Sequence, residues 1–246
     1  MRITLDNCGQ RVEAVFSDKN VNEIFLPLLR RLTDMHRQKG GRILVLLGAP
    51  PAAGKSTLAA FLRQLSVDTP GLCPLDVVGM DGFHFPQRWL DSHTVRRDGE
   101  TLPLARVKGA PESFDLASLR RAVERIAAGE DCRLPVYDRT LHDPVPDALA
   151  VAGDVVLLEG NYLLLDAPGW RELRRFADYT IGVSADPEQL RSRLIARHIA
   201  GGKREDAVVR HVDGSDMRNI RLCLDHALPA DLRLRLREDG GFEVEK

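Results

Sequence analysis

The sequence predicts an α/β fold in which helices flank a parallel β-sheet, with a β-hairpin added at each terminus. One continuous apolar run, residues 43–47, is typical of a central parallel strand that is buried on both faces. The segment after it carries apolar residues at the i, i+3, i+4 and i+7 positions from Leu58, which indicates an amphipathic helix. Strand and helix patterns then alternate along the chain, as in a parallel α/β protein.

The other elements follow from periodicity and turn residues. Residues 1–17 alternate around a turn at 7–9 and predict a hairpin, and an amphipathic helix over 19–38 ends at a pair of glycines. The further predicted strands are 75–80, 133–137, 155–159 and 179–184, and the further predicted helices are 116–128, 187–200 and 204–225. The tail alternates leucines, turns at 239–241 and predicts a second hairpin.

No repeat, low-complexity tract or long linker divides the chain, so we expect a single domain over residues 1–246. It would consist of an N-terminal hairpin and helix (1–40), a core (41–228) and a C-terminal hairpin (229–246).

Composition excludes several classes of protein. Of the 246 residues, 43% are hydrophobic and 29% charged, which is ordinary for a globular domain, and the net charge of −1 predicts no nucleic-acid partner. The longest apolar stretch, 43–53, is far shorter than the roughly 18 residues that predict a membrane span, and no signal-peptide pattern opens the chain. The four cysteines (Cys8, Cys73, Cys132, Cys223) form no C-x-x-C pair, which indicates reduced thiols and a cytoplasmic protein.

The strongest motif is the loop between the central strand and the amphipathic helix, Ala-Pro-Pro-Ala-Ala-Gly-Lys-Ser-Thr over 49–57. Its position and its Gly-Lys-Ser ending match a phosphate-binding loop and predict a P-loop NTPase that binds ATP with Mg²⁺. Lys55 would reach the β- and γ-phosphates, and the Ser56 hydroxyl would bind Mg²⁺. The strict pattern has glycine where Ala49 stands. The residues predicted to bind the nucleotide are Gly48, Ala49, Ala53, Gly54, Lys55, Ser56 and Thr57.

Two further strands end in an acidic residue. Asp81 follows strand 75–80, and Glu159 closes strand 155–159. Ligands of open α/β sheets lie beyond the carboxyl ends of the strands, so both side chains would face the phosphates. Asp81 would accept the proton of the substrate hydroxyl, and the predicted metal ligands are Ser56, Glu159 and Asp81.

The absence of N-K-x-D and L-S-G-G-Q motifs disfavours a GTPase or a transporter ATPase. Five blocks are more specific: the loop 49–57, Met-Asp-Gly-Phe-His (80–84), Lys-Gly-Ala-Pro-Glu-Ser-Phe-Asp (108–115), Tyr-Asp-Arg-Thr-Leu-His-Asp-Pro (137–144) and Glu-Gly-Asn-Tyr (159–162). Together they resemble the phosphoribulokinase/uridine kinase family, which includes type I pantothenate kinase. Within it the chain is most similar to a bacterial branch of nucleoside-kinase-like and fructose-transport-system kinases.

The resemblance implies a kinase that uses ATP and Mg²⁺ and phosphorylates a hydroxyl of a small molecule, and it carries a weaker expectation of a homodimer. In uridine kinases a Tyr-Asp pair and a histidine contact the nucleoside, which implies a substrate-binding role for Tyr137, Asp138 and His142. The density of polar groups over 137–143 also suits a ligand with several hydroxyls. The further predicted substrate-binding residues are His84, Lys108, Arg139 and Asn161. A sugar or polyol-like acceptor is favoured, with a nucleoside, pantothenate or a regulatory module without transfer activity as alternatives.

A lid is predicted near 193–205. Arg193 and Arg197 lie one turn apart on helix 187–200, and the double glycine at 201–202 would serve as a hinge. Arginines that a lid brings over the phosphates stabilise the charge that develops during transfer, so both are predicted catalytic residues alongside Asp81 and Lys55. His198 and His211 are expected to be surface residues, and no zinc site is expected.

Overall fold

The structure is a computed structural model that describes residues 2–7, 10–97 and 99–245. The strands are β1 (Arg2–Asn7), β2 (Gln10–Val15), β3 (Ile43–Gly48), β4 (Leu75–Gly79), β5 (Thr94–Arg97), β6 (Glu100–Pro103), β7 (Cys132–Asp138), β8 (Asp143–Val151), β9 (Val155–Gly160), β10 (Tyr179–Ala185), β11 (Leu232–Leu236) and β12 (Phe242–Val244). The α-helices are α1 (Asp18–Asn20), α2 (Leu26–Lys39), α3 (Lys55–Asp68), α4 (Gln87–Ser92), α5 (Leu116–Ala127), α6 (Pro187–Ala200), α7 (Glu205–His211) and α8 (Met217–Asp225). None of the described helices is both long and apolar enough to cross a membrane.

A six-stranded sheet organises the molecule, in the order β12-β11-β10-β3-β9-β4. All its neighbouring strands pair in parallel except β11 and β12, which are antiparallel. Every residue of β3 and of β9 is buried, because helices or turns cover both faces. The predicted parallel sheet is therefore confirmed.

Hydrophobic side chains pack on both faces of this sheet. Ile43, Val45 and Leu47 join a core that contains apolar residues of α2, α3 and α6. Leu44 and Leu46, on the opposite face, join a second core with residues of α5. This alternation along one strand is the reason why β3 is apolar at every position.

The two ends of the chain contact each other through the first core. Phe242 of β12 contacts Phe16 and Phe25, with ring centroids 6.5 Å and 6.0 Å away, in the core that also contains Phe61. The buried Asn20 donates through Nδ2 to the Phe242 carbonyl (2.6 Å) and accepts from its amide (2.9 Å). The C-terminal hairpin thus extends the main sheet and packs on the N-terminal helical segment, whereas β1 and β2 form a sheet of their own. The middle of the turn between β1 and β2, with Cys8, lies outside the described residues.

The structure differs from expectation in the middle of the chain. The sequence predicts β7 among the core strands, but this strand pairs with β8 in a separate antiparallel hairpin. Its residues from Pro135 to Asp138 are only partly buried, and Pro135 offers no backbone N–H, so it suits a two-stranded sheet better than a buried parallel one. No sequence pattern indicates α4, the hairpin β5–β6 or β8. The helix expected over 204–225 contains a π-helical turn, Val212–Asp216, between α7 and α8.

Candidate active site

The loop after β3 has the backbone of an anion-binding turn. Gly54 adopts a φ of 81° immediately before α3, a conformation that glycine takes at little cost, and Ala52 has a φ of 64°. A positive φ at alanine is strained and persists where surrounding contacts enforce it. The Ala53 amide donates to the Pro50 carbonyl (3.3 Å), which closes the turn. The backbone N–H groups that open α3 are therefore available for an anion.

Lys55, Ser56 and Thr57 lie at the start of α3 and line an open cleft. The Ser56 hydroxyl donates to Glu159 Oε1 (2.8 Å), which joins the loop to the end of β9. Burial raises the pKa of Glu159, and Asp81 adds to this rise, while Lys55 and the hydrogen bond from Ser56 oppose it. A hydroxyl and a carboxylate side by side are hard oxygen donors of the kind that Mg²⁺ prefers.

Asp81 enters the same cleft from the neighbouring strand, in the short 3₁₀ turn Met80–Phe83 after β4. This turn packs closely on β7, since a Cβ added to Gly82 would lie 2.2 Å from the Pro135 carbonyl oxygen. Only glycine fits there, so Gly82 lets the turn that carries Asp81 pack directly on the backbone of β7. β4 and β9 pair in register, with Gly79 opposite Glu159, and for this reason the two acids meet.

Three arginines line the same cleft: Arg139, Arg193 and Arg197. Arg193 contacts the Ala52 carbonyl (3.5 Å). The Nε atom of Arg139 is buried and has no hydrogen-bond partner. Desolvation, followed by the like charge of Arg139, lowers the pKa of Arg197, whereas Asp216 and Asp81 raise it. Three arginine side chains in one cleft, one of which has an unpaired hydrogen-bond donor, form a site that suits a polyanion.

A second group of predicted residues lies beside the cleft. The His84 ring stacks on Phe114 (3.8 Å between centroids) and meets Tyr137 edge-on (5.5 Å). Lys108 Nζ lies 5.3 Å from the centre of the Tyr137 ring and donates to Gln87 Oε1 (2.8 Å). Burial lowers the pKa of His84, with Asp81 acting in the opposite direction. The histidine is therefore an uncharged hydrogen-bonding group near neutral pH.

The other predicted residues lie in three kinds of place. The Asp138 carboxylate accepts from the amides of Thr140 (2.7 Å) and Leu141 (2.9 Å) and so closes the turn between β7 and β8. His142 is exposed in that turn. Asn161 lines the phosphate cleft, and its buried Oδ1 has no hydrogen-bond partner. Gly48 and Ala49, at the end of β3, line an adjoining apolar cavity with Asn161.

Tyr162 was not predicted to take part in the site. Its buried hydroxyl donates to the Gly109 carbonyl (2.6 Å), next to Lys108. Burial raises its pKa well above the usual value, so it remains a hydrogen-bond donor. The one available signal was its place directly after the Glu-Gly-Asn segment. That signal was not sufficient, because a tyrosine there could equally be a core residue.

The fold and the loop define a P-loop nucleotide-binding protein. A model of the phosphoribulokinase/uridine kinase family matches residues 44–228, and the chain belongs to this family. An uncharacterized protein of Escherichia coli, YggC, is 37% identical over 243 residues, which cover 98% of each chain. A "putative uridine kinase" of Schizosaccharomyces pombe is 29% identical over 201 residues, 79% of this chain and 83% of its own.

Among solved structures, a "putative fructose transport system kinase" from Silicibacter sp. TM1040 superposes with a TM-score of 0.72 at 35% identity. The match covers 83% of this chain and 98% of that one. These similarities confirm the P-loop kinase fold and the kinase class.

Proposed function

We propose that the protein transfers the γ-phosphoryl group of ATP to a hydroxyl of a small polar metabolite, most simply a sugar or polyol-like acceptor. The observation that best supports this proposal is the cleft, which is lined by Asp81 together with Lys55, Ser56 and the three arginines. A phosphate loop alone suits any nucleotide-binding protein, whereas a carboxylate facing it supplies a base for an attacking hydroxyl.

The residues present fit ATP with Mg²⁺. The unpaired buried atoms Arg139 Nε and Asn161 Oδ1 need a polar ligand, and Ser56 with Glu159 supplies oxygen donors. Bound Mg²⁺ would neutralise charge on the β- and γ-phosphates.

The side chains divide the remaining tasks. Lys55 and the amides of the loop hold the phosphates in position. Asp81 orients the acceptor hydroxyl and takes its proton, because it follows β4 and lines the same cleft as the loop. Arg139, Arg193 and Arg197 stabilise the charge on the transferring group. We therefore assign Arg139 to the phosphates, whereas the sequence pattern predicts a place beside the acceptor.

The acceptor would lie against the group formed by His84, Tyr137 and Lys108. A neighbouring cleft is lined by four arginines, Arg97, Arg106, Arg210 and Arg218. Val107, next to Lys108 in the chain, also lines it, and Arg97 and Arg210 form ion pairs with Glu112 and Asp206. An acceptor that carries a phosphate or carboxylate would have to compete with these carboxylates for the cations. Sugar phosphates therefore belong in any acceptor panel beside neutral sugars.

The test is a coupled ADP-release assay with ATP-Mg²⁺ across sugars, polyols, sugar phosphates, pantothenate and nucleosides. We expect one acceptor to raise turnover far above the acceptor-free rate. Lys55→Ala and Asp81→Asn should each lower that rate by about 10²–10³-fold, as expected when a group that stabilises the transition state is lost. Lys19→Ala and Asp34→Asn are matched controls, since their side chains are 75% and 63% exposed and lie outside the cleft.

The alternatives predict other results. A nucleoside or pantothenate as the stimulating compound would keep the mechanism and change the acceptor. Slow ATP hydrolysis that no acceptor stimulates would refute the transferase and favour a nucleotide-binding regulatory module.

A further inference from the structure

Three potential metal ligands meet at the predicted lid: His198, which belongs to it, His211 and Asp216. One ligating atom of each lies within 4.8 Å of those of the other two. His198 Nε2 is 3.3 Å and His211 Nε2 is 3.9 Å from Asp216 Oδ2. His211 is exposed, as the sequence predicts, whereas the His198 side chain is only 18% exposed and contacts both of its neighbours.

A π-helical turn creates this arrangement. Asp216 is five residues after His211, and in an α-helix of 3.6 residues per turn it would point away from that side chain. The segment Val212–Asp216 is instead π-helical, with the Met217 amide donating to the Val212 carbonyl. The wider turn brings residues five apart onto one side, and such turns are frequent at functional sites. Sequence spacing alone could not reveal the cluster for this reason.

We propose that His198, His211 and Asp216 bind one divalent transition-metal ion of the Zn²⁺ type. Two imidazoles and one carboxylate form a donor set typical of zinc. Zinc–ligand bonds of about 2.0–2.1 Å place tetrahedral ligands about 3.3 Å apart, so the observed separations require only small side-chain movements. The His211 side chain is 46% exposed, which gives the ion a path of entry and leaves a coordination position for water.

The bound ion would join the C-terminal end of α6 to the junction between α7 and α8. These elements enclose the exposed linker 201–204, and Arg197 of the phosphate cleft directly precedes His198. Occupation of the site would therefore stiffen the part of the lid that carries Arg197. Lys203 Nζ lies 3.2 Å from His198 Nδ1, and its charge opposes binding of a cation.

The direct test is calorimetric titration of the full chain with Zn²⁺, without nucleotide or Mg²⁺, followed by Co²⁺ titration read by visible absorption. We expect one site. His198→Ala, His211→Ala and Asp216→Asn should each weaken binding by at least about tenfold. Lys203→Ala should bind more tightly, because a competing cation is removed. This gain of affinity distinguishes a metal site from a general loss caused by misfolding.

Two controls address other zinc-binding groups. His226→Ala removes an exposed histidine outside the cluster, and Cys73→Ser removes a half-exposed free thiol. Neither substitution should change the affinity of the protein for Zn²⁺.

A second readout uses trypsin, which cleaves after Lys203 or Arg204. Zn²⁺ should slow that cleavage in the wild-type chain and leave it unchanged in His198→Ala. Absence of binding, or binding that survives in the double variant His198→Ala/His211→Ala, would overturn the proposal. Neither result depends on kinase activity, so the two proposals fail independently.

Discussion

The two sides of the active-site region are built in different ways. On the phosphate side, backbone pairing positions the groups: β3, β9 and β4 run in parallel, with Gly48 opposite Gly160 and Gly79 opposite Glu159. The residues that follow these strands must then meet at one edge of the sheet. Replacing one side chain there removes its chemistry and leaves the framework in place.

On the acceptor side, side chains hold irregular segments together. Lys108 Nζ reaches the His142 carbonyl (2.9 Å), and the Ser113 hydroxyl donates to the Ala110 carbonyl (2.7 Å). The hairpins β5–β6 and β7–β8 belong to no larger sheet. Such a region can change its shape through a few substitutions without disturbing the main sheet.

The largest expected effect is on the phosphate side, where one substitution should lower the turnover and raise the melting temperature. We expect Glu159→Gln to lower turnover by about 10²–10³-fold, because a carboxylate beside Ser56 is lost. Melting temperature should nevertheless rise at neutral pH. Burial raises the pKa of Glu159 above its ordinary 4.5, so its charged form destabilises the folded state.

The direction of this pKa shift determines how the gain in melting temperature depends on pH. The destabilisation is complete above the raised folded-state pKa and absent below the unfolded value of 4.5, so the gain in the variant should vanish as pH falls through that range. Each kcal/mol relieved corresponds to about 2–4 °C in a chain of this size. Thermal scans from acid to neutral pH measure this, with Glu243→Gln, an exposed acid, as control. A lower melting temperature at neutral pH would mean that Glu159 stabilises the fold.

The second prediction concerns the contact between the two sides. Gly82→Ala should destabilise the protein by about 1–3 kcal/mol, because the added Cβ would lie 2.2 Å from the Pro135 carbonyl oxygen and backbone must move. Chemical denaturation measures the loss. Gly41→Ala is the control, since no atom lies within 4 Å of its added Cβ. Equal stability of the two variants would show that the turn after β4 adapts freely to β7.

On the acceptor side, Tyr162→Phe should have a moderate effect. It removes the hydrogen bond to the Gly109 carbonyl, worth about 1 kcal/mol, and loosens the segment that carries Lys108. The KM of the acceptor should rise about fivefold, with that of ATP unchanged. Steady-state kinetics with each substrate varied in turn separates the two, and Tyr179→Phe, a buried tyrosine outside the site, is the control. An equal rise in both KM values would contradict the division into two sides.

This division also explains what the sequence could predict. An apolar run predicts a buried strand of the sheet, and the Gly-Lys-Ser segment or the acidic residue at its end predicts the chemistry found there. The sequence therefore predicts that four residues meet: Lys55, Ser56, Asp81 and Glu159. Arg139 was predicted to be functional, but its neighbours could not be predicted, because β7 pairs with β8 outside the main sheet. The contacts of Lys108 and Tyr162 depend on segments without periodicity, and no local pattern specifies them.

His142 provides the smallest effect and the sharpest test of the acceptor side. Its side chain is exposed, while its backbone carbonyl accepts from Lys108 (2.9 Å), and alanine retains that carbonyl. His142→Ala should therefore change the acceptor KM by less than about twofold, which corresponds to about 0.4 kcal/mol. Lys108→Ala is the informative comparison, because it removes the ammonium group that faces Tyr137 and the carbonyl. A large rise in KM for His142→Ala, with stability intact, would place the imidazole on the bound acceptor, as the resemblance to uridine kinases implies. The turn between β7 and β8 would then have to close over the acceptor when it binds.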